Sequence, residues 1–375
     1  MIITALVFLI ILSILVLVHE FGHFVVGKFF GVGVEEFAMG LPFSKPIFSK
    51  KLRSGMKLSL YPLLFGGFVK LLGEENEQNR PNNQIKGKFF YKVGVWPRIF
   101  VVVAGVSMNL LLAVAAFYLF LTLSGFKVLV PRLSDYQFSS PNGSVVVITN
   151  VETSSPAEKV GLKTGDVISG FASLPKFQKY VIANSGKEIS LEVADMNFNN
   201  KKTVKVIPRK DPPKGQGALG VGIAEAVVLD YSTDQDKAMS GLSYTKDMFV
   251  YNLNVVSQLV VQSRKEKNIA PLSENVSGPF GIAEAVSQIL KLGGWEAVVS
   301  LVNLLGILSL SLAFMNILPF PALDGGRLAF LLVEAFTGKK IPGKIENLIN
   351  QGGMILLLLL IVLISFNDVV KIVVK

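Results

Sequence analysis

His19 and His23 are the only histidines in the 375-residue chain, and they stand four residues apart in His19-Glu20-Phe21-Gly22-His23. On a helix that spacing sets both imidazoles on one face, where they can ligate a single Zn²⁺ while the glutamate between them serves as general base. Two histidines placed at random among 375 positions fall four apart in roughly one chain in 190, before any glutamate is required between them, so the motif is not accidental. A catalytic zinc takes three protein ligands and leaves a fourth position for water. With no further His and no Cys in the chain, the third ligand must be Asp or Glu.

Asp324 fits that role. It ends the stretch Asn316-Ile317-Leu318-Pro319-Phe320-Pro321-Ala322-Leu323-Asp324, directly after a long apolar run, where two prolines and the following Gly325 and Gly326 interrupt a helix. An aspartate at the centre of a membrane helix costs about 2.5–3.5 kcal/mol on insertion scales, so a carboxylate at such a place is a functional candidate. Irregular backbone at membrane depth is tolerated where it lines a watery cavity, which hydrolysis inside a bilayer needs. His19, His23 and Asp324 as zinc ligands, with Glu20 activating a water, predict a hydrolase that attacks a carbonyl.

The elements that must position these groups are membrane spans. Hydrophobic residues make up 51% of the chain and charged ones only 17%, which points away from a purely soluble protein. Four runs reach spanning length, at residues 2–18, 99–123, 297–318 and 348–366. No Lys or Arg precedes the first run and no small-residue cleavage site follows it, so it reads as a retained helix. Residues 28–98 carry twelve Lys and Arg against five Asp and Glu, which predicts a cytoplasmic segment and extracytoplasmic N- and C-termini. Spans one and three then run the same way. His19 is reached about 24 Å along the first, and Asp324 lies beyond the end of the third, so both motifs arrive near the cytoplasmic side. The formal charge of +10 follows from this topology, and no basic stripe with interleaved aromatics indicates a nucleic-acid partner.

Between spans two and three the pattern changes to that of a β-rich unit. Residues 144–151, 189–193 and 203–207 are strand-like, 155–160 reads as a short capped helix with Pro156 near its start, and 209–217 is a Pro- and Gly-rich loop. The series at 154–171, SSPAEKVGLKTGDVISGF, resembles the helix and following strand of a circularly permuted PDZ domain, a likeness covering residues 129–225. That resemblance implies a peptide ligand added to a sheet edge; a small spacer without ligand is the alternative. Residues 245–262 show an amphipathic pattern. The expected organisation is an α-helical polytopic membrane protein with about four transmembrane helices and an inserted PDZ-like domain. Its parts are 1–128 with two spans, 129–225 the β-rich unit, 226–296 amphipathic linker helices, and 297–375 with two spans.

HEFGH in the first span and NILPFPALDGG at the end of the third together resemble the site-2 protease family of intramembrane zinc metalloproteases, in its bacterial RseP-like branch. The likeness extends through FFGVGVEEFAMG, PLLFGGFVKLLGE, VWPRIFVVVAG, SGPFGIAEA and ENLINQGGMILLLLLIVLISFND. It implies a multi-pass protein of the bacterial inner membrane. Its zinc ligands would be His19, His23 and Asp324, with Glu20 catalytic, and its substrates single-pass membrane proteins such as trimmed anti-sigma factors or remnant signal peptides. It further implies a membrane-dipping hairpin at 62–70, with Gly66 and Gly67 receiving substrate as an added strand, and a substrate contact by Asn316. Read from composition alone, Gly66-Gly67 is equally an ordinary turn and Asn316 a helix-packing amide. The family's G-P-x-x-N is here Gly105-Val106-Ser107-Met108-Asn109, without the proline, which puts the role of Asn109 in question. A catalytically silent scaffold is a competing reading that the intact Glu20 opposes. A zinc transporter is opposed by the lack of further intramembrane ligands.

Overall fold

The computed structural model describes residues 2–74, 85–133, 136–171, 173–196, 198 and 200–374. In chain order the elements begin with α1 (Ile2–Phe29), β1 (Val34–Leu41), β2 (Phe48–Lys51), β3 (Lys57–Leu60), β4 (Leu63–Leu71) and α2 (Val95–Leu123). Then come β5 (Lys127–Pro131), β6 (Pro141–Val151), α3 (Pro156–Lys159), β7 (Val167–Ile168), α4 (Leu174–Ala183), β8 (Ile189–Ala194), β9 (Lys202–Val206) and β10 (Val221–Asp230). The remainder is helical: α5 (Asp234–Glu266), α6 (Ala270–Asn275), α7 (Pro279–Leu292), α8 (Gly294–Ile317), α9 (Asp324–Thr337) and α10 (Gly343–Val374). Two compact units result, residues 1–117 with 263–375, and residues 118–262.

In the first unit the expected four spans are present: α1, α2, α8 and α10 are the described helices long and apolar enough to cross a membrane. α1 buries Ile11, Leu15, His19, Gly22, His23 and Gly27, a repeat near four that traces one stripe, while Ile3, Leu6, Ile10, Ile14, Phe21 and Val25 point outward. A stripe this narrow on an otherwise apolar helix suits lipid on the outer side and protein on the inner. At Gly22 the stripe meets α2 so closely that a β-carbon would overlap the backbone of Ala104, the small-residue approach typical of helices packed in membranes.

A four-stranded sheet of order β2-β3-β1-β4 lies beside α1. β1 and β3 are parallel and the other pairs antiparallel, so β4 forms one edge and β2 the other. β4 tracks the C-terminal half of α1 in the same direction: Gly67 faces Val16, the Val69 amide meets Glu20, and Leu71 faces Gly27. After α8 the chain breaks at 318–323, with Ala322 at φ 70°, and restarts as α9 with Asp324 in its first turn.

The second unit is a six-stranded sheet of order β5-β10-β6-β7-β8-β9, with every neighbouring pair antiparallel. Val146, Ile148, Ile168, Phe177, Leu191 and Val206 form its core under α3 and α4. The capped helix read at 155–160 is α3: the Ser155 hydroxyl accepts from the Glu158 amide, and the Glu158 carboxylate accepts from the Ser154 amide. α5 begins eleven residues before the amphipathic segment read at 245–262, because Thr233 accepts from the Asp236 amide at its start and Asp234 and Asp236 suit its first turn. Its buried Asp247 accepts from the hydroxyls of Tyr136, Ser139 and Tyr231 and from the Ser139 amide, at 2.7–3.3 Å.

Candidate metal centre

Three side chains from two helices, α1 and α9, converge in the first unit. Nε2 of His19 lies 2.9 Å from Oδ2 of Asp324, Nε2 of His23 lies 3.2 Å from the same oxygen, and the two Nε2 atoms are 3.2 Å apart. A tetrahedral zinc with bonds of about 2.0–2.1 Å spaces its donor atoms about 3.3 Å apart, so this triangle is close to one face of that tetrahedron. Among the described residues it is the one group of three metal-ligating side chains so arranged.

The hydrogen bonds around the triad fit a cation there. Nδ1 of His23 is 2.8 Å from the carbonyl oxygen of Val101, which can only accept, so Nδ1 carries the hydrogen and the neutral ring turns the lone pair of Nε2 toward the centre. Asp324 Oδ2, buried, accepts no hydrogen bond. The side-chain amide of Asn109 sits 3.3 Å from Nδ1 of His19, and its Oδ1 is otherwise without a partner. Turning that amide over, an exchange of two nearly equivalent atoms, lets Oδ1 accept from His19 Nδ1–H and leaves Nε2 as a donor atom. Lone pairs from both rings and the carboxylate then face one another, as three ligands of one metal ion must.

α2 holds this geometry. A β-carbon at Gly105 would overlap the His23 ring and crowd that of His19, so only glycine lets α2 lie against both imidazoles. Asn109, one turn further along, is completely buried, and its backbone carbonyl accepts from the Ser309 hydroxyl of α8 at 2.7 Å. A cavity of about 190 Å³ opens beside the triad, lined by Glu20, Phe68, Val69, Glu74, Phe90 and Arg327 among others. Glu20 Oε2 accepts from the Val69 amide at 2.9 Å. Arg327, one turn after Asp324, pairs with Glu74 and stacks over Phe90.

A sequence model of peptidase family M50 matches residues 7–360. The chain belongs to this family, the site-2 proteases. Similar proteins of matching length occur in Clostridium perfringens (32% identical, covering 96% of each chain) and Rickettsia conorii (28% identical, covering 96% of this chain and 97% of that one). One from Nostoc is 32% identical and covers 93% of this chain and 91% of its own. All three carry the name "putative zinc metalloprotease". This M50 peptidase is a zinc metalloprotease, and the donor set of two imidazoles and a carboxylate fits that metal.

The remaining residues singled out in the sequence fall in two places. Gly66 and Gly67 lie within strand β4 rather than at a turn; Gly66 has φ 123°, and a β-carbon on Gly67 would press on the Ala38 carbonyl. Asn316 is half-buried in the last turn of α8 and is not among the cavity-lining residues. Asn109, whose role the missing proline put in question, touches a ligand ring directly. The Arg327–Glu74 pair and the Val69 amide escaped the sequence reading. Only the four-residue spacing from Gly105 to Asn109, one helical turn on a shared face, hinted at the support from α2.

Proposed function

We propose that this M50 peptidase hydrolyses peptide bonds within transmembrane segments of other membrane proteins, at a site near the cytoplasmic face of the bacterial inner membrane. One observation carries the reading: both histidines and Glu20 lie on α1, a helix long and apolar enough to span, while β4, the terminal strand of its sheet, runs along that helix beside them. A transmembrane segment must unwind before it can be cut, and an extended peptide paired with β4 would be held as a strand with its carbonyls beside the cavity. Gly66 and Gly67 would let that peptide approach closely, and Asn316 would contact its backbone.

When bound by His19, His23 and Asp324, zinc supplies an acidified water and an electrophile for the scissile carbonyl. Glu20 takes the proton of the attacking water and returns it to the leaving amine. Asn109 and the Val101 carbonyl fix the ring nitrogens that donate, so neither imidazole needs to reorient during turnover. The Val69 amide holds Glu20 by one oxygen and leaves the other for the proton.

The second unit supports a PDZ-like reading. α3 and α4 cover its sheet, and among the described residues β5 pairs with Ala226–Asp230 of β10 and Arg132 bonds Glu225, which leaves the outer edge of residues 221–224 for a peptide. In this reading it filters or binds single-pass substrates outside the membrane; of the linker expected at 226–296, residues 226–230 belong to β10, and the second unit runs on through most of α5 to 262.

The decisive experiment uses purified protein and a model transmembrane substrate. Glu20→Gln should retain one zinc per chain and lose cleavage; cleavage preserved in that variant removes Glu20 from the mechanism. Cysteine labelling at position 339 should report a cytoplasmic location, and external reactivity there reverses the orientation.

A further inference from the structure

The sheet β2-β3-β1-β4 has an order of polarity that the metal centre does not use. Residues 37–73 contain six cations, Lys45, Lys50, Lys51, Arg53, Lys57 and Lys70, and no Asp or Glu. The same stretch exposes Phe43, Ile47 and Phe48, by 78, 69 and 52% of their surfaces. Exposed apolar groups gathered this closely mark a surface that meets something other than water.

The strand register turns this composition into a depth profile. One rung crosses the sheet through Phe48, Leu60, Met39 and Gly67, and Gly67 lies against Val16 in the middle of α1. Another crosses through Lys51, Lys57, Glu36 and Lys70, three residues nearer the C-terminal end of α1 and therefore about 10 Å away. The 28 residues of α1 span about 42 Å, more than the roughly 30 Å hydrocarbon core, so its last turns stand among headgroups. Phe43, Ile47 and Phe48 sit at the apolar level, and Lys50, Arg53 and Lys57 toward the headgroup level. β2, the outer strand, is exposed along its whole length, and water among the headgroups can satisfy its unpaired backbone.

We propose that the β2–β3 hairpin with its leading loop is an interfacial lipid-binding surface. It inserts Phe43, Ile47 and Phe48 among acyl chains and holds anionic phospholipid headgroups with Lys50, Arg53 and Lys57. Charge complementarity selects an anionic leaflet, since the hairpin and its leading loop, residues 42–60, carry five cations and no Asp or Glu, the glutamates of the sheet lying on β1. Lys45, at the apolar end, reaches the phosphates along its long stem.

The chain has no cysteine, so single-cysteine variants of the full-length protein report single positions. Phe48→Cys and Arg53→Cys, each carrying a fluorophore, would be reconstituted into vesicles of phosphatidylcholine with or without phosphatidylglycerol. The label at 48 should be quenched by a nitroxide on the acyl chain and the label at 53 by one on the headgroup. Fluorescent phosphatidylglycerol should be enriched around the protein, and Lys50→Gln, Arg53→Gln and Lys57→Gln combined should lower that enrichment at least about fivefold while zinc content stays unchanged. The proposal is overturned if both labels answer only to an aqueous quencher, if enrichment is equal for both lipids, or if position 48 becomes shielded only when soluble protein is added.

Discussion

The side-chain amide of Asn109 stands 3.3 Å from Nδ1 of His19, joining a ligand on α1 to a helix ninety residues further along the chain. Its own backbone is fixed by Ser309. Asn109→Ala therefore removes the group that sets the His19 tautomer, and zinc affinity should fall by about 10–100-fold. Asn109→Asp keeps an acceptor and should recover most of it. Metal titration of both variants checks this, and equal affinity in the alanine variant would sink the assignment.

Gly105→Ala tests the close approach of α2. A methyl group there collides with both imidazoles, so the expected result is loss of zinc, by at least about tenfold in affinity, from a protein whose helical content is unchanged. Metal analysis beside circular dichroism separates the two effects. Full zinc occupancy would mean that α2 can retreat at no cost.

Arg327 and Glu74 tie the first turn of α9 to the end of β4, since Glu74 also accepts from the Leu71 amide at 2.9 Å. Arg327→Ala lets Asp324 and β4 drift relative to each other, and kcat/KM should fall roughly a hundredfold. Arg327→Lys keeps the charge without the planar fork and should recover only part. Steady-state kinetics with zinc content held equal decide the matter; a loss confined to thermal stability would leave the pair a purely structural one.

The Asp247 cluster predicts an alkaline limit for the second unit. Burial, and then the hydrogen bond to Asp247, push the Tyr136 hydroxyl up from 10.0 to about 12, and burial also raises Tyr231 and Tyr244. A hydroxyl that holds its proton more tightly when folded stabilises the fold fully below pH 10 and loses that contribution as the pH rises toward 12. Melting temperature should fall over that interval alongside tyrosinate absorbance. Asp247→Ala, which removes the acceptor shared by four donors, should cost about 3–5 kcal/mol. A flat melting profile from pH 10 to 12 would contradict this.

What the sequence disclosed follows from the range of the interactions involved. His19 and His23 were legible because one helical turn is a local rule, and Asp324 by elimination, since no other ligand type was left. The spans were legible because lipid imposes a length and a polarity on contiguous residues. The sheet of β1 to β4 was not, beyond the hairpin implied by resemblance: β2 and β3 are only four residues each, and the parallel β1–β3 pairing leaves no local signature. Glu74 and Arg327, 253 residues apart, show their charges in the sequence but not their partnership. Asn109 is an amide in an apolar run, and nothing in the run says which ring it will meet.

His19 and His23 belong to the opening helix, whereas Asp324 begins one much later. No nascent fragment short of that aspartate owns the full set of donors, so a ribosome must have completed most of the polypeptide, and the late helix must have docked, before all three donors can hold a metal. Synthesis order thus keeps the immature enzyme inert.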